Sequence, residues 1–355
     1  MRPSTAHIWG PPGGCTGYHI MTSTYPYSES DAAREGSAAH WLAKILIDKK
    51  NIVIGQPAPN GVLITQEIFE AAVEYAAIVM DEFRRTPDAV FGTEATFSAP
   101  SIHERLQGTV DAYVYDKHAQ TLTVWDFKYG LRPVDAYENW QLLCYAAAIS
   151  DALSPQLTKK VSMRIVQPRA FQRAGITGVW ECTDISKYVS QLRSAAHEEP
   201  TIRTGSHCKY CPARHACPAA LDAGMSMYES AMIPVSLELT PSQLGSQLAF
   251  VRRAREQLEY LETGYEEQAS SLIRKGVNVA GWTLEEGLGN RKWAKSTEEI
   301  FRLGDLLGVD LREPPKPISP AQAEKKGLKG DVLTAFIERN KTQLKLIPQK
   351  KDIFT

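Results

Sequence analysis

The stretch that most narrows what this chain can become lies between Leu106 and Tyr145. Two runs there, GTVDAYVYD and TLTVWDFKYG, alternate β-branched or aromatic residues with others at period two, and a short polar segment, Asp116 to Gln120, separates them. Period two is the repeat of a strand, and so short a connection closes an antiparallel hairpin. Residues two apart on a strand share a face, which puts Asp126 beside Lys128, and Asp111 on the partner strand can reach that face. After a loop opened by Gly130 and Pro133, NWQLLCYA reads as helix, with Gln141 and Tyr145 on one of its faces.

Two carboxylates and a lysine converging on one sheet face are the parts that metal-assisted phosphodiester hydrolysis requires. Carboxylates hold hard divalent cations such as Mg²⁺ or Mn²⁺. Water on such an ion has a lowered pKa and attacks phosphorus, while the Lys128 ammonium orients it or offsets charge on the phosphoryl oxygens. An Asp-x-Lys pair alone is more often a surface ion pair. Asp111 and the Gln-x-x-x-Tyr helix, in this order and spacing, favour the catalytic reading.

The succession GTVD, DFK and QLLCY resembles the RecB-like branch of the PD-(D/E)XK nuclease superfamily. The resemblance implies that Asp111, Asp126 and Lys128 are catalytic, with Gln141 and Tyr145 positioning the DNA strand or the groups behind the metal ligands. It implies a metal site of Asp111, Asp126 and His40, the last from EGSAAH on an upstream helix, with Glu94 as a further acidic ligand. The implied fold is a restriction-endonuclease-like α/β core, a central mixed sheet flanked by helices. The implied activity is exonucleolytic, on single-stranded DNA or duplex ends, in phage-type replication, recombination or repair and alongside a protein partner from those processes. Two other classes stay open: an inactive nuclease fold that holds DNA ends or a partner, and an iron–sulfur redox protein with an incidental Asp-x-Lys.

With 40 Lys and Arg against 41 Asp and Glu, net charge is −1. The chain is therefore no polycation, and cations for DNA must be gathered locally. No apolar run approaches the ~20 residues that cross a bilayer. MRPSTAHIWGPPGGC lacks the basic-then-apolar plan of a signal peptide, so the expected location is the cytoplasm, a host's if the chain is phage-encoded.

Three of the six cysteines, Cys208, Cys211 and Cys217, fall in HCKYCPARHACPA, where a tight loop can aim several thiolates at one point. Locally this fits zinc, with His207 or His215 as fourth ligand, as well as it fits an iron–sulfur cluster. Cys15, in a Pro/Gly-rich loop, is a poor place for a buried structural thiol. One cysteine before the core and three after it is similar to the iron–sulfur RecB-like nucleases, CRISPR-associated ones among them. The resemblance implies a 4Fe–4S cluster on Cys15, Cys208, Cys211 and Cys217, with structural Zn²⁺ as the alternative. Closing so long a loop would lower the entropy of the unfolded chain. Cys144 and Cys182 read as small buried thiols.

Elsewhere, residues 1–29 read as ordered loop, with Trp9, Tyr18 and Tyr25 packed in core or lid. A helix capped by Ser30 carries His40, another spans 66–86, and strands are expected at 91–97, 160–168 and 178–182. A helix over 184–196 and the cysteine loop close a nuclease domain, 1–225. Residues 226–355 read as a mostly helical extension that guides DNA or docks a partner, headed by a charged helix over 241–275. Arg252, Arg253, Trp282, Arg291, Lys292 and Trp293 there would suit a strand-binding groove that neutralises phosphates and stacks bases, although such runs are more often solvated helix faces.

Overall fold

The computed structural model describes residues 1–23, 31–50, 52–153, 159–171, 175–234, 236–284 and 302. By internal contacts the chain divides into Met1–Leu284 and Glu285–Thr355; the elements below belong to the first unit.

The fold is α/β. Five strands lie side by side in chain order: β1 (Val90–Ser98), β2 (Gln107–Asp116), β3 (Thr121–Phe127), β4 (Lys160–Val166) and β5 (Gly178–Cys182). The first three form an antiparallel meander, β4 runs parallel to β3, and β5 is antiparallel to β4. In the β2–β3 connection Asp116 Oδ1 accepts from the amides of His118 (2.8 Å) and Ala119 (2.9 Å), a side-chain substitute for a backbone turn.

Strand alternation sorts side chains onto two helical layers. Leu122, Val124, Val161, Met163 and Ile165 belong to one core, with α1 (Ala6–Trp9) and α5 (Trp140–Leu153), the crossover helix that the parallel step requires. Ala112, Val114, Trp125, Phe127 and Val166 form the other, against α3 (Asp31–Ile47) and α4 (Gln66–Arg85). Fully burying a side chain such as Phe127 contributes about 3 kcal/mol, so this layer fixes the strand that carries Asp126. Helix α4 starts where the Thr65 hydroxyl accepts from the Ile68 amide at 3.3 Å.

The amino-terminal segment is not the expected loop. It forms a 3-10 turn at Pro3–Thr5, then α1, and later α2 (Tyr18–Ser23). Pro at the first turn and Gly10-Pro11 after α1 bound a one-turn helix rather than forbid it, and wholly buried Trp9 anchors it. Tyr18 is buried too, whereas Tyr25 and Ser30 lie outside the described residues.

Beyond the sheet come α6 (Pro168–Phe171), α7 (Ser186–His197), which joins the α5 layer, α8 (Pro218–Ala231) and α9 (Pro241–Arg274). Helix α8 runs through the 225/226 boundary drawn from the sequence. Thr240 and Gln243 form the capping box that starts α9. Arg214 Nε donates to Tyr260 O at 3.0 Å, and a Cβ on Gly264 would lie 2.9 Å from His215 Cβ. That close approach seats α9 on the cysteine loop. Among the described residues no helix is long and apolar enough to cross a membrane.

Candidate metal centre

Pairing between β2 and β3 ends at Ala112 opposite Trp125. Beyond that point Asp111 turns its carboxylate into the fork, where Oδ2 accepts from the Phe127 amide at 2.7 Å and Oδ1 lies 3.3 Å from His40 Nδ1. On β1 the residue between the Thr93 and Ala95 pairs is Glu94, at φ 46°. A non-glycine residue in that left-handed region carries strain, and here it accompanies a carboxylate whose Oε1 is 3.8 Å from His40 Nδ1. His40, Glu94 and Asp111 thus bring their ligand atoms within 4.8 Å of one another. One imidazole nitrogen and two carboxylates suit Mn²⁺ or Mg²⁺.

The electrostatics favour positive charge at this point. Burial opposes protonation of His40, but Asp111 and then Glu94 outweigh it and push its pKa up to about 10. Burial likewise works against ionised Asp111, yet His40, Lys128 and the Phe127 amide hold its carboxyl below the usual range. Tyr75, on α4, stacks on Phe127 with ring centroids 4.7 Å apart, and its buried hydroxyl has no hydrogen-bond partner. Burial, then the carboxylates of Asp111, Glu94 and Asp126, keep that phenol protonated.

Asp126, 1% exposed, faces Lys128: Oδ2 lies 3.0 Å from Nζ, an ion pair whose angles fall short of a hydrogen bond. Lys128 sits one residue past β3, and its amide, donating to Val166 O at 2.9 Å, prolongs the pairing with β4. Burial raises the Asp126 carboxyl despite Lys128. The Lys128 amine is raised too, because Asp126 and Asp111 outweigh its own burial, so it stays an ammonium.

From Lys128 a chain of contacts runs to α5. Nζ donates to Gln141 Oε1 at 3.1 Å, and Gln141 Nε2 donates to the Tyr145 hydroxyl at 3.1 Å. Gln141 is placed by Asn139, whose Oδ1 accepts from the amides of Gln141 (3.1 Å) and Leu142 (3.2 Å) at the start of the helix. The loop between is tied down by buried Gln167: Nε2 donates to Gly130 O (2.8 Å) and Arg132 O (2.7 Å), and Oε1 accepts from the Val134 amide (2.9 Å).

Every residue of the expected nuclease set therefore lies in one neighbourhood, with the emphasis shifted. Glu94 joins His40 and Asp111, whereas Asp126 stands outside that group, committed to Lys128. Asn139, Gln167 and Tyr75 were not singled out from the sequence. An Asn ahead of an apolar helical run is a readable cap. A Gln before Pro168 and a Tyr within a helical stripe carry no such signal.

Beside Tyr145 opens a cavity of about 490 Å³ with Arg2, Arg105, Ser4, Thr96, Gln107 and Thr109 in its wall; Arg105 Nε lies 3.6 Å from Glu104 Oε1. Thr109 and Thr96 are two residues from Asp111 and Glu94, about 7 Å of strand rise. Gly108 keeps this wall thin, since a Cβ there would lie 2.6 Å from Pro3 Cγ and 3.1 Å from Tyr145 Cε1.

Cys15, Cys208, Cys211 and Cys217 line another cavity together. The Cys15 amide donates to Ile8 O (2.9 Å), while Gly17 N to Thr201 O (2.9 Å) and the Arg203 side chain, Nη1 to Gly14 O (3.0 Å), join the two ends of the domain here. Burial raises the Cys15 and Cys208 thiols and pushes Cys211 up to about 11. Among the described residues the thiols form no group as tight as the His40 one. His207 Nε2 is 3.0 Å from Arg203 O, and His215 lies buried with its ring near Tyr265. Cys144 is fully buried. Cys182 is not: at the end of edge strand β5 it is half-exposed, its Sγ 3.1 Å from Asp184 O.

Of the expected strand-binding residues, Arg253 is exposed on α9, Arg252 is half-buried there, and Trp282 is 68% exposed beyond it. Arg291, Lys292 and Trp293 lie outside the described residues.

A family model described as "Protein of unknown function (DUF2800)" matches residues 1–352. Among solved structures, the crystal structure of SSO0001 is similar over 57% of this chain and 93% of its own, at 13% identity and a TM-score of 0.26.

Proposed function

The chain belongs to the DUF2800 family, and from the geometry of its site we propose that it is a divalent-metal-dependent deoxyribonuclease of the RecB-like PD-(D/E)XK kind. The observation that carries this reading is the junction of two arrangements at one strand fork. His40, Glu94 and Asp111 gather around a point that favours positive charge, and Asp126, Lys128, Gln141 and Tyr145 follow as one line of polar contacts.

His40, Glu94 and Asp111 would hold Mg²⁺ or Mn²⁺, with Asp126 the next carboxylate in reach. A bound ion of this kind supplies a water of lowered pKa and offsets charge on phosphoryl oxygens. The rest falls to the chain. Lys128, kept cationic by its carboxylates, meets negative charge on the phosphoryl group and takes no proton. Gln141 and Tyr145 hold the ammonium in place. Arg2 and Arg105 offer a strand's neighbouring phosphates a basic wall. In the reaction a water oxygen bonds to phosphorus, the bond from phosphorus to the leaving oxygen breaks, and that oxygen ends protonated. Action on single strands or duplex ends is the mode proposed. We extend the proposal to a 4Fe–4S staple on Cys15, Cys208, Cys211 and Cys217, which line one cavity, with structural Zn²⁺ as the alternative.

The test is digestion of end-labelled single-stranded and duplex DNA with Mg²⁺ or Mn²⁺. Metal-dependent shortening that EDTA stops is expected. Intact DNA in both metals defeats the proposal and leaves a binding protein in its place.

A further inference from the structure

Helix α4 buries one side, Ile68, Ala71, Ala72, Tyr75, Ala76 and Val79, at the spacing of an apolar stripe. Tyr75 alone in that stripe carries a side-chain polar atom. It is 2% exposed, and its ring stacks on Phe127, a contact that phenylalanine would make as well. The hydroxyl adds nothing to this packing. It is buried, and among the described residues it has no hydrogen-bond partner, although a buried tyrosine hydroxyl usually finds one. To the fold alone it is a cost, a donor taken from water without return.

The neighbours of that hydroxyl belong to the candidate metal site. Phe127, on which Tyr75 stacks, gives its amide to Asp111 Oδ2 and sets its ring 5.2 Å from that of His40. After burial, the charges that act on the phenol are the carboxylates of Asp111, then Glu94 and Asp126, and they keep it protonated, a donor among acceptors. An ionised carboxylate has about four lone-pair sites, and the contacts of Asp111 with the Phe127 amide and His40 do not use them all. Resting on the reading of this site as a metal centre, we propose that Tyr75 is a positioning residue: its hydroxyl donates to the Asp111 carboxylate when that carboxylate ligates the ion, and so fixes how its oxygens are presented. Ligand carboxylates are commonly held by such outer hydrogen bonds, and losing one costs roughly 10–100-fold in metal affinity.

Tyr75→Phe removes the hydroxyl and keeps the ring. Mn²⁺ calorimetry on the full chain should give a Kd roughly 10–100-fold higher in the variant than in the wild type. The Mn²⁺ concentration for half-maximal DNA cleavage should rise in step. The metal-free variant should melt at or above the wild-type temperature, because the fold loses no hydrogen bond. A purely structural hydroxyl would give the opposite pair, an unchanged Kd and a lowered melting temperature. Equal Kd values in the two proteins, or a metal-free variant that melts clearly lower or does not fold, would overturn the proposal and leave the metal site itself standing. A wild type without measurable Mn²⁺ binding would remove the metal reading, and this inference with it.

Discussion

Asp111 Oδ2 accepts a 2.7 Å hydrogen bond from the Phe127 amide, at the place where β2 and β3 stop pairing. The carboxylate does there what a backbone carbonyl does along the rest of the ladder, and its other oxygen is left for His40. Strand fork and candidate metal site are one feature.

The two roles of Asp111 can be separated. Asp111→Ala leaves the Phe127 amide without an acceptor and should destabilise the fold by about 1–3 kcal/mol. Asp111→Asn keeps an acceptor oxygen and should cost less, while both variants lose Mn²⁺ binding and cleavage. Urea unfolding beside Mn²⁺ calorimetry checks this; equal stability losses would show that the strand contact is idle.

The Asp126–Lys128 pair makes a second prediction. Lys128→Met strands a buried carboxylate and should cost about 3 kcal/mol, and adding Asp126→Asn should recover part of it. Cleavage should stay lost in both. A double variant no more stable than Lys128→Met would mean that the pair does not act as a unit.

Much of this site was legible before any coordinates, for a local reason. Period-two alternation places Asp126 and Lys128 on one side of one short segment, and a four-residue step places Gln141 above Tyr145, whatever surrounds them. The β2–β3 hairpin followed from the same alternation and its short connection. What stayed hidden depends on non-local or non-periodic facts. Glu94 reaches His40 from a left-handed backbone position that no composition signals. Helix α1 is a single turn, too short for any period, and its burial comes from Trp9 meeting the core. Cys182 lost its expected cover because β5 proved to be an edge strand.

His19 should make stability depend on pH. Burial, with the amino-terminal ammonium and then His103 adding to it, lowers its pKa from 6.5 to about 4 in the fold. Between those values the unfolded chain binds the extra proton, so this contribution is complete above pH 6.5 and declines as pH falls toward about 4. From about pH 7.5 to about pH 4.5 the melting temperature of the wild type should fall relative to that of His19→Gln. Parallel curves would remove His19 as the source.

Anaerobic purification should give a brown protein with iron and acid-labile sulfide. Cys15→Ser, Cys208→Ser, Cys211→Ser and Cys217→Ser should each bleach it, and Cys144→Ser should not. A colourless wild type containing stoichiometric zinc would replace the cluster with a structural Zn²⁺ site.

The most direct test of the nuclease account is the rate at which end-labelled single-stranded DNA shortens as Mn²⁺ is added to wild type and to His40→Ala. The account predicts saturable activation of the wild type and a rate at least ~100-fold lower in the variant at any Mn²⁺ concentration, since losing a ligand should cost no less than the ~10–100-fold typical of disturbing the groups behind one. Equal rates in the two proteins, or cleavage that persists without metal, would contradict it.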